Sequence, residues 1–324
     1  MTNPIFATVF RGSTIESFHR GAFAVVDAHK HLVLHSGDVD APVFPRSAIK
    51  AFQCLPLIES GAANHFNLSD EEIALCCSSH NGETEHVRVA RSILQKCGQD
   101  ESIYECGAHM PGSKNATFEL VRQGKSPGQI HNYCSGKHAG MIALASYLGI
   151  SQKDYVTPNH PVQKMVAQTL ADYCEINIAA APMGIDGCSV PTWALPLQNT
   201  ALGFAKLCDE KNHSAARILN SVRANPFMVA GTDCFDTNIM TAVPRLFLKF
   251  GAEGLFCGCI PHAGLGYALK CDDGSKRGAE VAVAKMLSEL NVWTEEEKRT
   301  LLKFAKEPIS NWRKISVGTI SANP

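Results

Sequence analysis

The feature that most narrows what this chain can fold into is the position of its β-forming runs, which lie at the two ends and leave the middle to helices. Residues 22–26 and 32–35 are short apolar runs around the polar turn Asp27-Ala28-His29-Lys30, the signature of a hairpin. Near the carboxyl end, residues 255–260 and 266–271 read as strands on either side of His262-Ala263-Gly264, and residues 315–320 as a last strand. The turn Asp272-Asp273-Gly274 leads into a helix that reaches Leu290. In between, Pro45 suits a first helical turn and Gly61 a stop, with Pro56 expected to kink or end the segment. Pro161 opens another helix, in which Val162, Met165, Val166 and Leu170 recur at helical spacing. Residues 199–208 and 214–222 follow as further helices. The order predicts an α/β chain of the α+β kind: an antiparallel sheet built from both termini, with an inserted helical lobe. The sheet lobe is expected over residues 1–44 and 230–324 and the helical lobe over 45–229, together forming one unit.

Composition removes several classes of function. Lys plus Arg is 30 against 31 for Asp plus Glu, a net charge of -1, so no basic stripe for a nucleic-acid partner is present. The longest uncharged stretch, residues 187–205, contains Pro191, Pro196, Gln198 and Asn199 and makes a poor bilayer span, so no membrane role is expected. The apolar run 5–10 has no basic segment ahead of it, and no signal peptide is read there. Thirteen cysteines, an odd number, are then expected to be reduced, which makes the cytoplasm the expected compartment.

Three short motifs carry the chemistry. In Arg46-Ser47-Ala48-Ile49-Lys50 the serine and lysine are three apart, on one helical face, so the amine can take the hydroxyl proton. Ser79-His80-Asn81 and Lys249-Phe250-Gly251 complete the order Ser-x-x-Lys, Ser-x-Asn, Lys-x-Gly of the penicillin-recognising acyl-serine enzymes. His80 and Phe250 depart from that scheme and argue against a β-lactamase. Arg46 is suited to clamp a substrate carboxylate and Asp186 to hold an ammonium group, a pairing that selects an α-amino acid. The stretch Asn132-Tyr133-Cys134-Ser135-Gly136-Lys137-His138-Ala139-Gly140, with Asp186-Gly187-Cys188, offers thiols beside a lysine and a histidine. A soft metal is one use for them, but the paired Cys-x-x-Cys spacing is missing, and buried free thiols are the plain alternative. Gly136 and Gly140 mark either close backbone approach or turns.

Taken in order, Arg11-Gly12, Glu16, His19-Arg20-Gly21, Arg46 to Lys50, Cys77-Ser78-Ser79-His80-Asn81-Gly82-Glu83, Asn132 to His138, Asp186-Gly187-Cys188 and Lys249 to Gly254 resemble the rhizobial-type, class 3, L-asparaginases. The resemblance implies a fold related to serine β-lactamases and glutaminases, and hydrolysis of L-asparagine to L-aspartate and ammonia. It implies two serine-lysine pairs, Ser47 with Lys50 and Ser79 with Lys249; Ser47 is read as the attacking serine and Ser79 as the one that passes a proton to the leaving ammonia, but both have a lysine partner and the sequence does not decide which attacks. Arg46, Asn81, His138 and Asp186 are the candidate substrate-binding residues. It further implies a zinc ion held by Cys134, Lys137 and Cys188, and a homodimer. A glutaminase or related serine amidase, a zinc amidohydrolase and a non-catalytic amino-acid binding protein remain the alternatives.

Overall fold

The computed structural model describes residues 2–209 and 211–323. Contacts divide the chain into two compact units. One holds the described residues of Met1–Ala48, Leu195–Cys208 and Ile239–Pro324; the other holds Ile49–Ala194 and those of Asp209–Asn238.

The first unit is built on an eight-stranded sheet. Its strands are β1 (Ile5–Arg11), β2 (Thr14–Asp27), β3 (Leu32–Ser36), β4 (Phe247–Gly251), β5 (Leu255–Ile260), β6 (Leu265–Cys271), β7 (Lys306–Ser310) and β8 (Ser316–Ala322). The order is β7-β8-β1-β2-β6-β5-β4, with β3 paired to β2, and every pairing is antiparallel. The two ends of the chain meet directly, Val9 opposite Ile320. Strand β2 is long enough to serve two sets of partners: its first half pairs with β1, its second with β6 and β3. Helices Leu197–Lys206 and Lys276–Ser288 pack on the central strands, and β5 is buried along its whole length. A strand covered on both faces loses the polar alternation that marks a half-exposed one.

Several elements differ from expectation. Lys249 lies ahead of β5 within a strand of its own, β4, opposite Cys257 of β5, where the sequence pattern gave no separate strand. Helix Glu295–Phe304 and strand β7 close the unit where the sequence pattern gave no element. Helix Leu197–Lys206 falls within the range expected to be helical lobe, yet it packs on β2, β5 and β6. Its buried face, Ala201, Leu202 and Ala205, meets the strand at Gly266, where a Cβ would lie 2.0 Å from the Ala201 carbonyl.

The second unit is helical and centres on helix Ser135–Tyr147, buried from Ser135 to Ala145. Helices Lys50–Glu59, Asp70–Cys76 and Thr84–Lys96 pack around it. Gly136 and Gly140 are points of close approach: a Cβ on the first would lie 2.3 Å from the Leu75 carbonyl oxygen, one on the second 2.9 Å from Cys76 Sγ. Ser69 and Glu72 form a reciprocal cap on the helix that delivers Leu75 and Cys76. Pro56 neither ends nor opens a helix but sits inside Lys50–Glu59, whose residues up to Ile58 are buried. Tertiary packing there outweighs the missing N–H. Among the described residues no helix is long and apolar enough to cross a membrane.

Candidate active site

The helical unit gathers most of the residues singled out by sequence around one buried amine. Lys50, the first residue of its helix, is fully buried. Its ammonium group donates to the Ser78 carbonyl, to Ser79 Oγ at 2.9 Å and to Cys134 Sγ at 3.2 Å. These three partners occupy its three donors. The expected hydrogen bond from Lys50 to Ser47 is therefore replaced by one to Ser79, because the side chain crosses to the segment following helix Asp70–Cys76 rather than lying along its own helix.

That segment is held on both sides. The Ser79 amide donates to the Val229 carbonyl at 2.9 Å and the His80 amide to the Tyr133 carbonyl at 3.1 Å. His80, at the position that departs from the acyl-serine enzymes, is a buried strut: its Nδ1 accepts the Gly82 amide at 3.0 Å. The ring proton then sits on Nε2, 2.8 Å from Ser135 Oγ, which in turn donates to the Ile130 carbonyl. Burial, reinforced by His86, pushes the His80 imidazole well below its ordinary range and keeps it neutral. Its ring stacks on His86, and His86 stacks on Phe227.

Cys134, Lys137 and Cys188 come together beside Lys50. Lys137 Nζ is 2.9 Å from Cys188 Sγ, and the Cys134 thiol hydrogen-bonds Cys188. That hydrogen bond, with help from Lys137 and against burial, draws Cys188 down to about 5, while the same bond and burial push Cys134 up to about 12. Burial works against the Lys137 ammonium, but the charges of Cys188, Cys134 and Asp186 together outweigh it and hold the group above its usual value. Two sulfurs and an amine in a buried cluster are a donor set that fits zinc, on condition that Lys137 and Cys134 give up their protons.

The candidate substrate residues are placed as follows. Asn81 donates to Cys234 Sγ at 3.1 Å. His138 is fully buried, with Nδ1 2.7 Å from the Tyr155 hydroxyl and Nε2 without a hydrogen-bond partner. Asp186 is half-buried in a tight turn in which its carboxylate accepts the Gly187 amide at 2.7 Å. Ser47, Arg46 and Lys249 belong to the sheet unit, whose boundary with the helical unit falls between Ala48 and Ile49. Ser47 is half-buried in the turn Arg46–Ile49, entered through Arg46 at φ 51°, a left-handed conformation uncommon outside glycine. Strand β4 runs against this turn, since a Cβ on Gly251 would lie 2.5 Å from the Pro45 carbonyl. Lys249 is buried in that strand and donates to the Phe250 carbonyl at 2.8 Å.

Sequence reasoning missed the loop that backs Ser79 and Asn81. Glu83 takes the Thr232 amide and hydroxyl with its two oxygens, each at 2.8 Å, and fixes the loop that presents Cys234. Glu83 lay within a quoted block, but nothing in its spacing pointed to a partner 149 residues away.

Against known proteins, a family model described as L-asparaginase II matches residues 7–322. No curated protein matches the chain. Among solved structures, a crystal structure of Mglu is 13% identical with a TM-score of 0.36, over 80% of this chain and 64% of that one. Another, of Mglu in its native form in the presence of 4.3M NaCl, is 12% identical with a TM-score of 0.39, over 85% and 63%. The chain thus spans less than two thirds of the length of these two structures, and the likenesses assign it neither a fold nor an activity.

Proposed function

The chain belongs to the L-asparaginase II family, and from that premise we propose that it hydrolyses the side-chain amide of L-asparagine to L-aspartate and ammonia. The observation that carries the mechanism is the 2.9 Å separation of Lys50 Nζ from Ser79 Oγ. In this reading Lys50 must first release to solvent the proton it directs at Ser79 Oγ; the resulting free amine then takes the hydroxyl proton as Ser79 Oγ attacks the amide carbon, and delivers it to the departing nitrogen. The C–N bond breaks to release ammonia, an ester joins the aspartyl group to Ser79, and water hydrolyses that ester. The Ser79 amide is already committed to Val229, so the developing oxyanion must draw its donors from other groups.

Ser47 and Lys249, which the rhizobial-type, class 3, pattern pairs with Lys50 and Ser79 respectively, are proposed as the remaining serine and lysine of the site, and Arg46, Asn81, His138 and Asp186 as the groups that recognise the α-amino acid. Cys134, Lys137 and Cys188 are proposed to hold zinc, whose charge would help orient a polar substrate. The kinship with serine β-lactamases and glutaminases, a homodimeric state and a cytoplasmic location belong to the same proposal.

The test is ammonia release from L-asparagine beside L-glutamine, for the wild type, Ser79→Ala and Ser47→Ala. Release from asparagine that disappears in Ser79→Ala is the expected result. Full activity in Ser79→Ala together with loss in Ser47→Ala would transfer the attack to Ser47, and no release from either amide would end the amidohydrolase reading.

A further inference from the structure

His19-Arg20-Gly21 has no part in the site above, and in the sheet unit its histidine belongs to a separate constellation. His19, Cys271 and Asp273 offer a ring nitrogen, a sulfur and a carboxylate oxygen, all within 4.8 Å of one another. They come from two neighbouring strands and the turn that follows: Gly21 of β2 is paired with Cys271 at the end of β6, and Asp273 stands in the turn leading to helix Lys276–Ser288. Asp273 is the hub. Its Oδ2 is 2.7 Å from His19 Nδ1, and its Oδ1 accepts the Cys271 thiol at 2.8 Å and the Ser275 amide at 2.9 Å.

The backbone around the three donors is fixed. The Asp272 amide donates to the Arg20 carbonyl and the Cys271 amide to the Gly254 carbonyl, both at 2.9 Å. Helix Lys276–Ser288 lies flat on the imidazole, since a Cβ on Gly278 would be 2.6 Å from His19 Cγ. His19 and Cys271 are buried, whereas half of the Asp273 side chain is exposed, so the cluster is closed behind and open to water in front.

We propose that His19, Cys271 and Asp273 form a second metal site, taking a borderline-soft divalent cation of the zinc kind through Nδ1, Sγ and a carboxylate oxygen, with water as the fourth ligand. A sulfur and an imidazole nitrogen in the set select against calcium and magnesium, which take oxygen ligands. The exchange balances: the Cys271 thiol releases its proton to solvent, and the ring proton of His19 moves to Nε2, which makes no hydrogen bond. A thiolate, a carboxylate and a neutral imidazole around a dication sum to zero charge. Metal–nitrogen and metal–sulfur bonds of about 2.0 and 2.3 Å require the 2.7 and 2.8 Å contacts to open by under about 1 Å. The half-exposed Asp273 turn can supply that movement. The ion would staple β2 to β6 and to the following helix, and nothing in this inference depends on the proposed activity.

The experiment uses the full-length Cys134→Ser/Cys188→Ser protein, stripped of metal, reduced, and titrated with Co2+ alone. Binding is followed by thiolate-to-cobalt charge-transfer absorption and by native mass spectrometry. One equivalent with a charge-transfer band is expected, and both are lost in the added Cys271→Ser or His19→Ala change. Absence of the band, or a band that survives Cys271→Ser, overturns the proposal. Should the double variant not fold, the wild type is compared with Asp273→Asn: one bound equivalent fewer is expected, and an equal count overturns it.

Discussion

Replacing Lys50 by methionine separates a catalytic amine from a merely structural one. Methionine nearly preserves the length of the side chain in a fully buried position but removes all three donors, which serve the Ser78 carbonyl, Ser79 Oγ and Cys134 Sγ. For stability the effects oppose each other. A buried carbonyl left without a donor costs about 1–3 kcal/mol, whereas removing a buried ammonium relieves a desolvation penalty of several kcal/mol. The net change in unfolding free energy is expected within about 2 kcal/mol of zero, a Tm shift below roughly 8 °C by calorimetry. Catalysis has no such compensation: loss of the base should lower kcat roughly a hundred- to ten-thousand-fold, equivalent to about 2.7–5.4 kcal/mol in the barrier. Ammonia release at saturating asparagine measures it. A folded Lys50→Met protein that keeps more than about a tenth of wild-type kcat would refute the base assignment, because a positioned proton acceptor is worth at least about ten times more than that.

Gly136→Ala places a methyl group 2.3 Å from the Leu75 carbonyl and 2.6 Å from Leu75 Cγ, so helix Ser135–Tyr147 must draw back. A loss of about 1–3 kcal/mol by urea denaturation is expected, and an unchanged midpoint would show that the two helices are not in this contact. In the sheet unit, hydrogen bonding from Arg245, assisted by Thr294, holds the Glu297 carboxyl down at about 2. Because the folded value lies below the unfolded one of about 4.3, its stabilisation is complete above the unfolded value and disappears as pH falls through about 2. Glu297→Gln should therefore trail the wild type in stability near neutral pH, with the gap closing toward pH 2. A gap that widens on acidification would contradict this sign.

The hairpin of residues 22–35, the strand after Leu255 and the helix opened by Pro161 were legible because local spacing and turn chemistry carry them. Strands β4 and β7 were not. Lys249 breaks the apolar run of β4, and its burial becomes evident only when β5 lies beside it. Strand β7 is largely exposed and contains Pro308, so its pairing with β8 leaves little local signature. At the site, sequence supplied Lys50, Ser79, Cys134, Lys137 and Cys188 as residue types suited to amide and metal chemistry. It paired Lys50 with Ser47, since a spacing of three predicts a neighbour on one helix.

By itself, the sequence determined the two chain ends as sheet, the middle as helix, and a set of nucleophiles, amines and thiols. These are properties of short windows, where periodicity and side-chain chemistry suffice. The tertiary structure decided partnership: Lys50 with Ser79, Glu83 with the Thr232 loop, and Lys137 with Cys188. It also brought His19, Cys271 and Asp273 within reach of a single ion. Each of these depends on burial and on contacts between residues far apart in the chain. Burial, hydrogen bonding and neighbouring charge together decide which groups carry charge, and all three take their values only once the surrounding surfaces have closed.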